Sequence, residues 1–316
     1  MRENKKSLLL ILTLYGLAIL IGLGQLFCKP KNGARDFQFL SFFSKIKEPQ
    51  PVIAIVPLYG VISISNDSWH SKNSADQVVK KLKKLSEDKD VKAVVLRINS
   101  PGGSVGAVQE IYDEVWRLKR SGKKVIASMG EVAASGGYYI ASAADKIMAD
   151  PGTITGSIGV IFKIGNLQEL FKKIGVRVET IQSKEHKDIG SPFRQMTEKE
   201  REIIRSIIND AYNQFIEAIL KGRKMEKAKL LELADGRIFS GAQAKDAGLI
   251  DELGNLEAAI LKAGEISGLK EKPKILREED PFEKFFSILK SENKGKIWEE
   301  PLNKFGIRFA YLWDYN

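Results

Sequence analysis

Two strand-length apolar runs each empty into a glycine-rich turn and then a helix, and nothing else in the chain constrains the fold as much. "VKAVVLRI" (91–98) leads into "NSPGGS" and an amphipathic helix that starts at Ser104 and is stopped by Gly122. Lys124 to Met129 form the next strand, and "AASGGYYIASA" (133–143) follows, opening a short helix with Ser135 at its turn. Runs this apolar suit strands buried on both faces, and strand–helix alternation implies parallel strands joined by helical crossovers. Glycine inside a regular element is worse than alanine by roughly 0.5–1 kcal/mol. Glycines packed around Ser135 and at 102–103 therefore imply close backbone approach or a use for free N–H groups.

The same rhythm extends in both directions. "VIAIVPLYGVISI" from Val52 is a strand signal broken at Pro57 and Gly60, and "SADQVVKKLKKLSED" carries helical spacing behind a possible cap at Ser74. Residues 176–182 read as a further strand. Thr197 opens one long helix to about residue 223, with Thr197 and Glu200 in a capping-box pattern. After about Leu269 the rhythm is lost. The expected organisation is an anchor at 1–29, a juxtamembrane linker at 30–50, an α/β domain at 51–270 and a C-terminal tail at 271–316. The end, "FGIRFAYLWDYN", reads as a core or interface strand, with a tail reaching a neighbouring substrate groove or the bilayer surface as the sharper alternative.

The anchor rests on an uncharged run of 22 residues, Ser7 to Cys28, behind Arg2, Lys5 and Lys6. As a helix it would be about 33 Å long, enough for a hydrocarbon core of about 30 Å. The flanking cations place the N-terminus in the cytoplasm and the rest beyond the cytoplasmic membrane. "GQLFCKP" offers no small-x-small cleavage site, and Phe27 does not suit a lipobox at Cys28, so a single uncleaved span is expected. Cys28 is the only cysteine, which rules out an intramolecular disulfide. The net charge of +10 comes from 50 basic and 40 acidic residues that are interspersed. That reads as a solvated surface, with attraction to anionic lipid as the alternative, and not as a nucleic-acid platform. No motif suggests a metal or an organic cofactor.

Ser135 at a strand-to-helix turn is a candidate nucleophile, and a serine needs a base. Only His70 and His186 are present, with no histidine from Gly136 to Glu185. The remaining option is a lysine kept neutral by burial, against an ordinary value of about 10.4. Composition does not choose among the many lysines.

Taken in order, "INSPGGSV", "ASGGYY", "TGSIGVI", "SKEHKDIGSPFR" and "GRIFSGAQAKDAGLIDELG" resemble signal peptide peptidase A. The similarity is to the short, single-repeat form of that protease IV-like, membrane-bound serine protease family, and runs from about Val52 to Gly268. It implies an α/β fold of the Clp protease/crotonase type, with repeated ββα units and a mostly parallel sheet, preceded by one N-terminal transmembrane helix. It implies Ser135 as nucleophile, Lys187 as general base, and Ser157 as the residue that hydrogen-bonds and orients the lysine. Backbone amides of Gly103 and Gly136 would form the oxyanion hole, with Gly102 setting the turn. Lys184 is the decoy beside Lys187, and His186 departs from the aromatic or aliphatic residue expected there. The glycine-rich segment at 236–254 is structural.

The resemblance also implies cleaved signal peptides and other short or unfolded apolar peptides as substrates. It implies a closed homo-oligomeric ring, octameric in related short forms, with active sites shared between neighbouring subunits and no cofactor. Two rival readings are a crotonase-like acyl-thioester enzyme and a non-catalytic membrane scaffold ring.

Overall fold

A computed structural model describes residues 51–64, 74–269, 274–277 and 310–312. The expected anchor and linker, with Cys28, lie outside the described residues, as does His70. Among the described residues no helix is long and apolar enough to cross a membrane.

The apolar runs form the middle of a mostly parallel sheet, as expected. β1 (Val52–Tyr59), β2 (Val91–Ser100), the short β3 (Gly102–Ser104) and β4 (Lys124–Ala134) come first in the chain, followed by β5 (Lys146–Ala149) and β6 (Ile154–Gly156). β7 (Ile238–Ser240), β8 (Glu252–Leu253), β9 (Lys274–Arg277) and β10 (Ala310–Leu312) complete the set. The main sheet runs β7-β6-β4-β2-β1-β9, with β5 and then β8 branching from β4. Only the β6–β7 pairing in it is antiparallel. On β2, Val94, Leu96 and Ile98 enter one core while Ala93 and Val95 enter another on the opposite face. Both faces are covered, so the strand reads as a continuous apolar run and not as an alternation.

Helices cover both faces: α1 (Ala75–Glu87), α2 (Val105–Arg120), α3 (Gly136–Ser142), α4 (Gln168–Lys173), α5 (Glu198–Gly222), α6 (Lys227–Leu233), α7 (Gly241–Ala247) and α8 (Leu256–Ile266). The larger core joins α1, α2, α3 and α5 to the sheet, and α8 closes the other side through Ala259, Ile260 and Ala263. Every residue of α3 is buried. Tyr139 packs between Tyr112, edge to face, and a tilted Phe215, with ring centroids 4.9 and 4.8 Å away, and the Tyr138 hydroxyl donates to the Leu249 carbonyl at 2.8 Å.

β4 positions the site by splitting along its outer edge. Ile126–Ser128 pair with β5, whereas Val132–Ala134 pair with β6. The β2–β4 register slips between Ile98 and Ser100, and the Asn99 side chain fills the gap by accepting the Val132 N–H at 3.0 Å. A side chain at Gly130 would press on Asn99, its Cβ only 3.1 Å from Oδ1.

Some local expectations differ. Residues 176–182 form no strand, and Ile181 is 95% exposed. Their apolar alternation suits a half-buried strand, but no described strand pairs with them. Pro57 does not break β1. It lies beyond Val52–Ile55, where β9 pairs, so its missing N–H falls where β1 has a single neighbour. Ser74 stands at the N-cap of α1 without making a side-chain capping bond. Two stretches of 271–316 enter the fold: β9 extends the sheet beside β1, and β10 lies antiparallel on β3 with Tyr311 opposite Gly103.

Candidate active site

Ser135 follows β4 directly and precedes α3, at φ 52° and ψ −116°. Ser157 follows β6 at φ 49°, and these two are the positive-φ residues other than glycine among those described. Such angles cost about 1–3 kcal/mol each and persist only where the surroundings enforce them. Here the sheet enforces them. Ala134 is paired with Gly156, so the residues after each strand are neighbours, and the Ser135 N–H donates to the Gly156 carbonyl at 2.8 Å. The Ser157 N–H donates to the Arg237 carbonyl at 2.8 Å, which ties the second turn to β7. Both serines are buried, and the Ser135 hydroxyl makes no capping bond to α3.

The two glycines meet at the same place. Ile62 hydrogen-bonds on both sides of Gly103, donating to the Gly102 carbonyl at 2.8 Å and accepting from the Ser104 N–H at 2.9 Å. Successive strand amides point in opposite directions, so the Gly103 N–H faces away from Ile62, towards β10. A Cβ on Gly136 would lie 3.2 Å from the Gly103 nitrogen and 2.6 Å from Val108 Cγ2. A Cβ on Gly103 would collide with the Ile62 carbonyl. Gly102, at φ 107°, makes the turn that delivers this strand. The first amides of α3 have no intrahelical acceptor. Gly136 and the Gly103 nitrogen thus meet beside Ser135, with the Gly103 N–H on the edge that β10 covers.

Lys187 is exposed, on the hydrogen-bonded turn at 184–191, and among the described residues its ammonium makes no hydrogen bond or ion pair. The β4–β6 register and the Gly103–Gly136 approach bring Ser135, Ser157, Gly103 and Gly136 together. Lys184 is exposed on the same turn, and His186 Nδ1 is buried without a partner among the described residues. Among those residues no group of His, Cys, Asp and Glu is arranged to hold a metal ion.

One cluster escaped the sequence reading. Arg194 binds Asp188 and Glu200 together, and it draws both carboxyls below their ordinary values, Glu200 to about 2. These hydrogen bonds are the largest cause of both shifts. The capping box at Thr197 and Glu200 was legible, but Arg194 sits six residues from each partner, a spacing that matches no regular period.

A mostly parallel α/β sheet that presents a strained serine where two glycine-rich turns meet defines a Clp protease-like fold. The chain matches the Clp protease family over residues 57–153 and peptidase family S49 over residues 117–270. A putative protease of Synechocystis sp. is 44% identical over 206 residues, covering 65% of this chain and 74% of the relative. Protease 4 of Haemophilus influenzae is 39% identical over 214 residues, 68% of this chain and 34% of that one. A putative signal peptide peptidase, SppA, of Enterococcus faecium is 40% identical over 196 residues, 62% of this chain and 56% of the relative. The chain belongs to peptidase family S49, a family of serine-type proteases. It spans only about a third of the Haemophilus protein and about half of the Enterococcus one.

Proposed function

We propose that the protein is a membrane-anchored serine endopeptidase with a Ser135–Lys187 dyad that degrades cleaved signal peptides and other short or unfolded apolar peptides. The observation that carries this reading is the strained Ser135 at the turn where Gly136 meets the Gly103 nitrogen. Peptide substrates are supported by β10, which lays extended chain antiparallel along Gly102–Ser104. Adding a strand to this edge is how a peptide gains main-chain hydrogen bonds independent of its sequence.

In the first step Ser135 Oγ attacks the scissile carbonyl carbon and its proton passes to Lys187 Nζ. The Gly103 and Gly136 amides hold the resulting oxyanion. Collapse breaks the C–N bond, and the leaving amine takes the proton back from Lys187. Water then repeats the sequence on the acyl-enzyme, with Lys187 again as base, and frees Ser135. Ser157, next to Ser135 across the β4–β6 pair, holds the lysine's orientation.

A lysine acts as a base only when desolvated, and Lys187 is exposed in the single chain. A neighbouring subunit of a closed ring therefore supplies the serine that Lys187 serves, and the contact removes its water. The apolar run at 7–28 anchors this ring to the cytoplasmic membrane, with the catalytic domain outside the cytoplasm.

The test is cleavage of internally quenched apolar peptides by the full chain, beside Ser135→Ala and Lys187→Ala, with assembly measured by light scattering. Cleavage by the parent and loss in both variants is expected. Loss in Ser135→Ala alone would transfer the base to another lysine, Lys184 first. No cleavage by an assembled parent would make the ring a scaffold.

A further inference from the structure

The turn that carries Lys187 is closed on itself, and its nearest backbone tie to the rest of the domain is the Leu167 N–H donating to the Pro192 carbonyl at 2.7 Å. The N–H groups of Lys187, Ile189 and Ser191 donate to the carbonyls of Lys184, His186 and Asp188 at 3.1, 3.3 and 2.9 Å, all within the turn. The preceding residues 176–182 are exposed and irregular. The strong tie is Arg194. Its Nε and Nη2 donate to Asp188 Oδ2 and Oδ1 at 2.8 and 2.6 Å, and its Nη1 and Nη2 to Glu200 Oε2 and Oε1 at 2.9 and 2.5 Å.

Glu200 is 1% exposed and belongs to the cap of α5. Its Oε2 accepts the Thr197 N–H at 2.9 Å, and its own N–H donates to Thr197 Oγ1 at 3.3 Å. Charge-assisted bonds therefore run unbroken from the cap of a 25-residue helix, through one guanidinium, to the residue beside Lys187. Capping alone does not require this. α7 has a complete capping box from Ser240 and the neutral Gln243. A fork bound at both ends fixes orientation as well as distance, which an ammonium cannot do.

We propose that Arg194 is a positioning residue for Lys187: by gripping Asp188 and the cap of α5 together, it sets the turn from which Lys187 reaches a serine. This rests on Lys187 being the base. The other charged groups facing the turn are Lys184, Glu185 and His186 on the turn itself, Lys199 of α5, which pairs with Glu185 at 3.8 Å, and Arg201 and Arg205 of α5, which line a cavity with Gly190, Ser191 and Arg194. None of them makes the double link.

Arg194→Ala alone strands the buried Glu200 and is a poor test. The informative protein is the full chain carrying Arg194→Ala with Glu200→Gln, which restores the neutral box seen on α7. Asp188→Ala, cutting only the link to the turn, runs beside it, as does Lys187→Ala. The double variant should stay folded and assembled at the assay temperature. Its kcat for an apolar peptide should fall on the order of 100-fold with KM within about threefold. The acid limb of its kcat–pH profile should move to higher pH, because a lysine freed from its seat stays charged to higher pH. Asp188→Ala should lose kcat similarly. A folded, assembled double variant with the parent's kcat and acid limb would overturn the proposal while Lys187→Ala stays inactive. Full activity in Lys187→Ala would remove the base assignment and the proposal with it.

Discussion

Ser135 and Ser157 carry backbone strain that the rest of the fold offsets, and Gly136 beside them has no room for a side chain. At Gly136 even a methyl group has no room, since Val108 Cγ2 would lie 2.6 Å away. Relief would come by moving α3 off both α2 and β3, which separates the Gly136 and Gly103 amides. Gly136→Ala is therefore expected to lower kcat by about 100- to 1,000-fold, the effect of losing one oxyanion donor. Steady-state kinetics on one apolar peptide would check it, and an unchanged kcat would remove Gly136 from the site. These residue-scale features were legible because glycine and serine at a strand-to-helix turn leave a local mark. Lys187 left none that singled it out from other lysines, and it rests on family resemblance.

Among the elements, α5 depends most visibly on ionisation. Arg194 and the cap hold the Glu200 carboxyl at about 2, below its ordinary 4.5. A carboxyl whose value is depressed on folding adds stability above its unfolded value, and that stability is lost as pH falls through the folded one. This part of the stability should thus be complete above about pH 4.5 and decline towards about pH 2. Urea unfolding at pH 6 and pH 3 should show a smaller acid loss in Arg194→Ala with Glu200→Gln than in the parent. An identical acid loss in the two proteins would contradict it. The helix was readable from its period and capping box, whereas residues 176–182 misled because alternation describes a strand without saying whether a partner strand exists.

The whole molecule raises two expectations. If each site takes Ser135 from one subunit and Lys187 from the next, Ser135→Ala and Lys187→Ala chains are each inactive alone but complement when co-assembled. Random mixing in equal amounts should restore about a quarter of the parent's activity, since only one neighbour pairing in four is intact. Mixed rings that stay inactive would place both groups in one subunit. The tail gives the second expectation. β10 occupies the outer edge of β3, so deleting residues 310–316 should raise kcat/KM for peptides, mainly by lowering KM. An unchanged or lower value would mean that β10 stabilises the edge without competing for it.

Local patterns determined most strands and helices before Leu269 and the two glycine-rich turns, because apolar period, capping residues and glycine act over a few neighbouring positions. Only the tertiary structure decided what those turns meet. The Ala134–Gly156 register sets Ser157 beside Ser135, and β3 brings Gly103 to Gly136. Arg194 joins two carboxylates from separate segments, and β10 reaches β3 from the far end of the chain. Strand register and long-range ion pairs are fixed by which surfaces are buried together, and no local spacing records that.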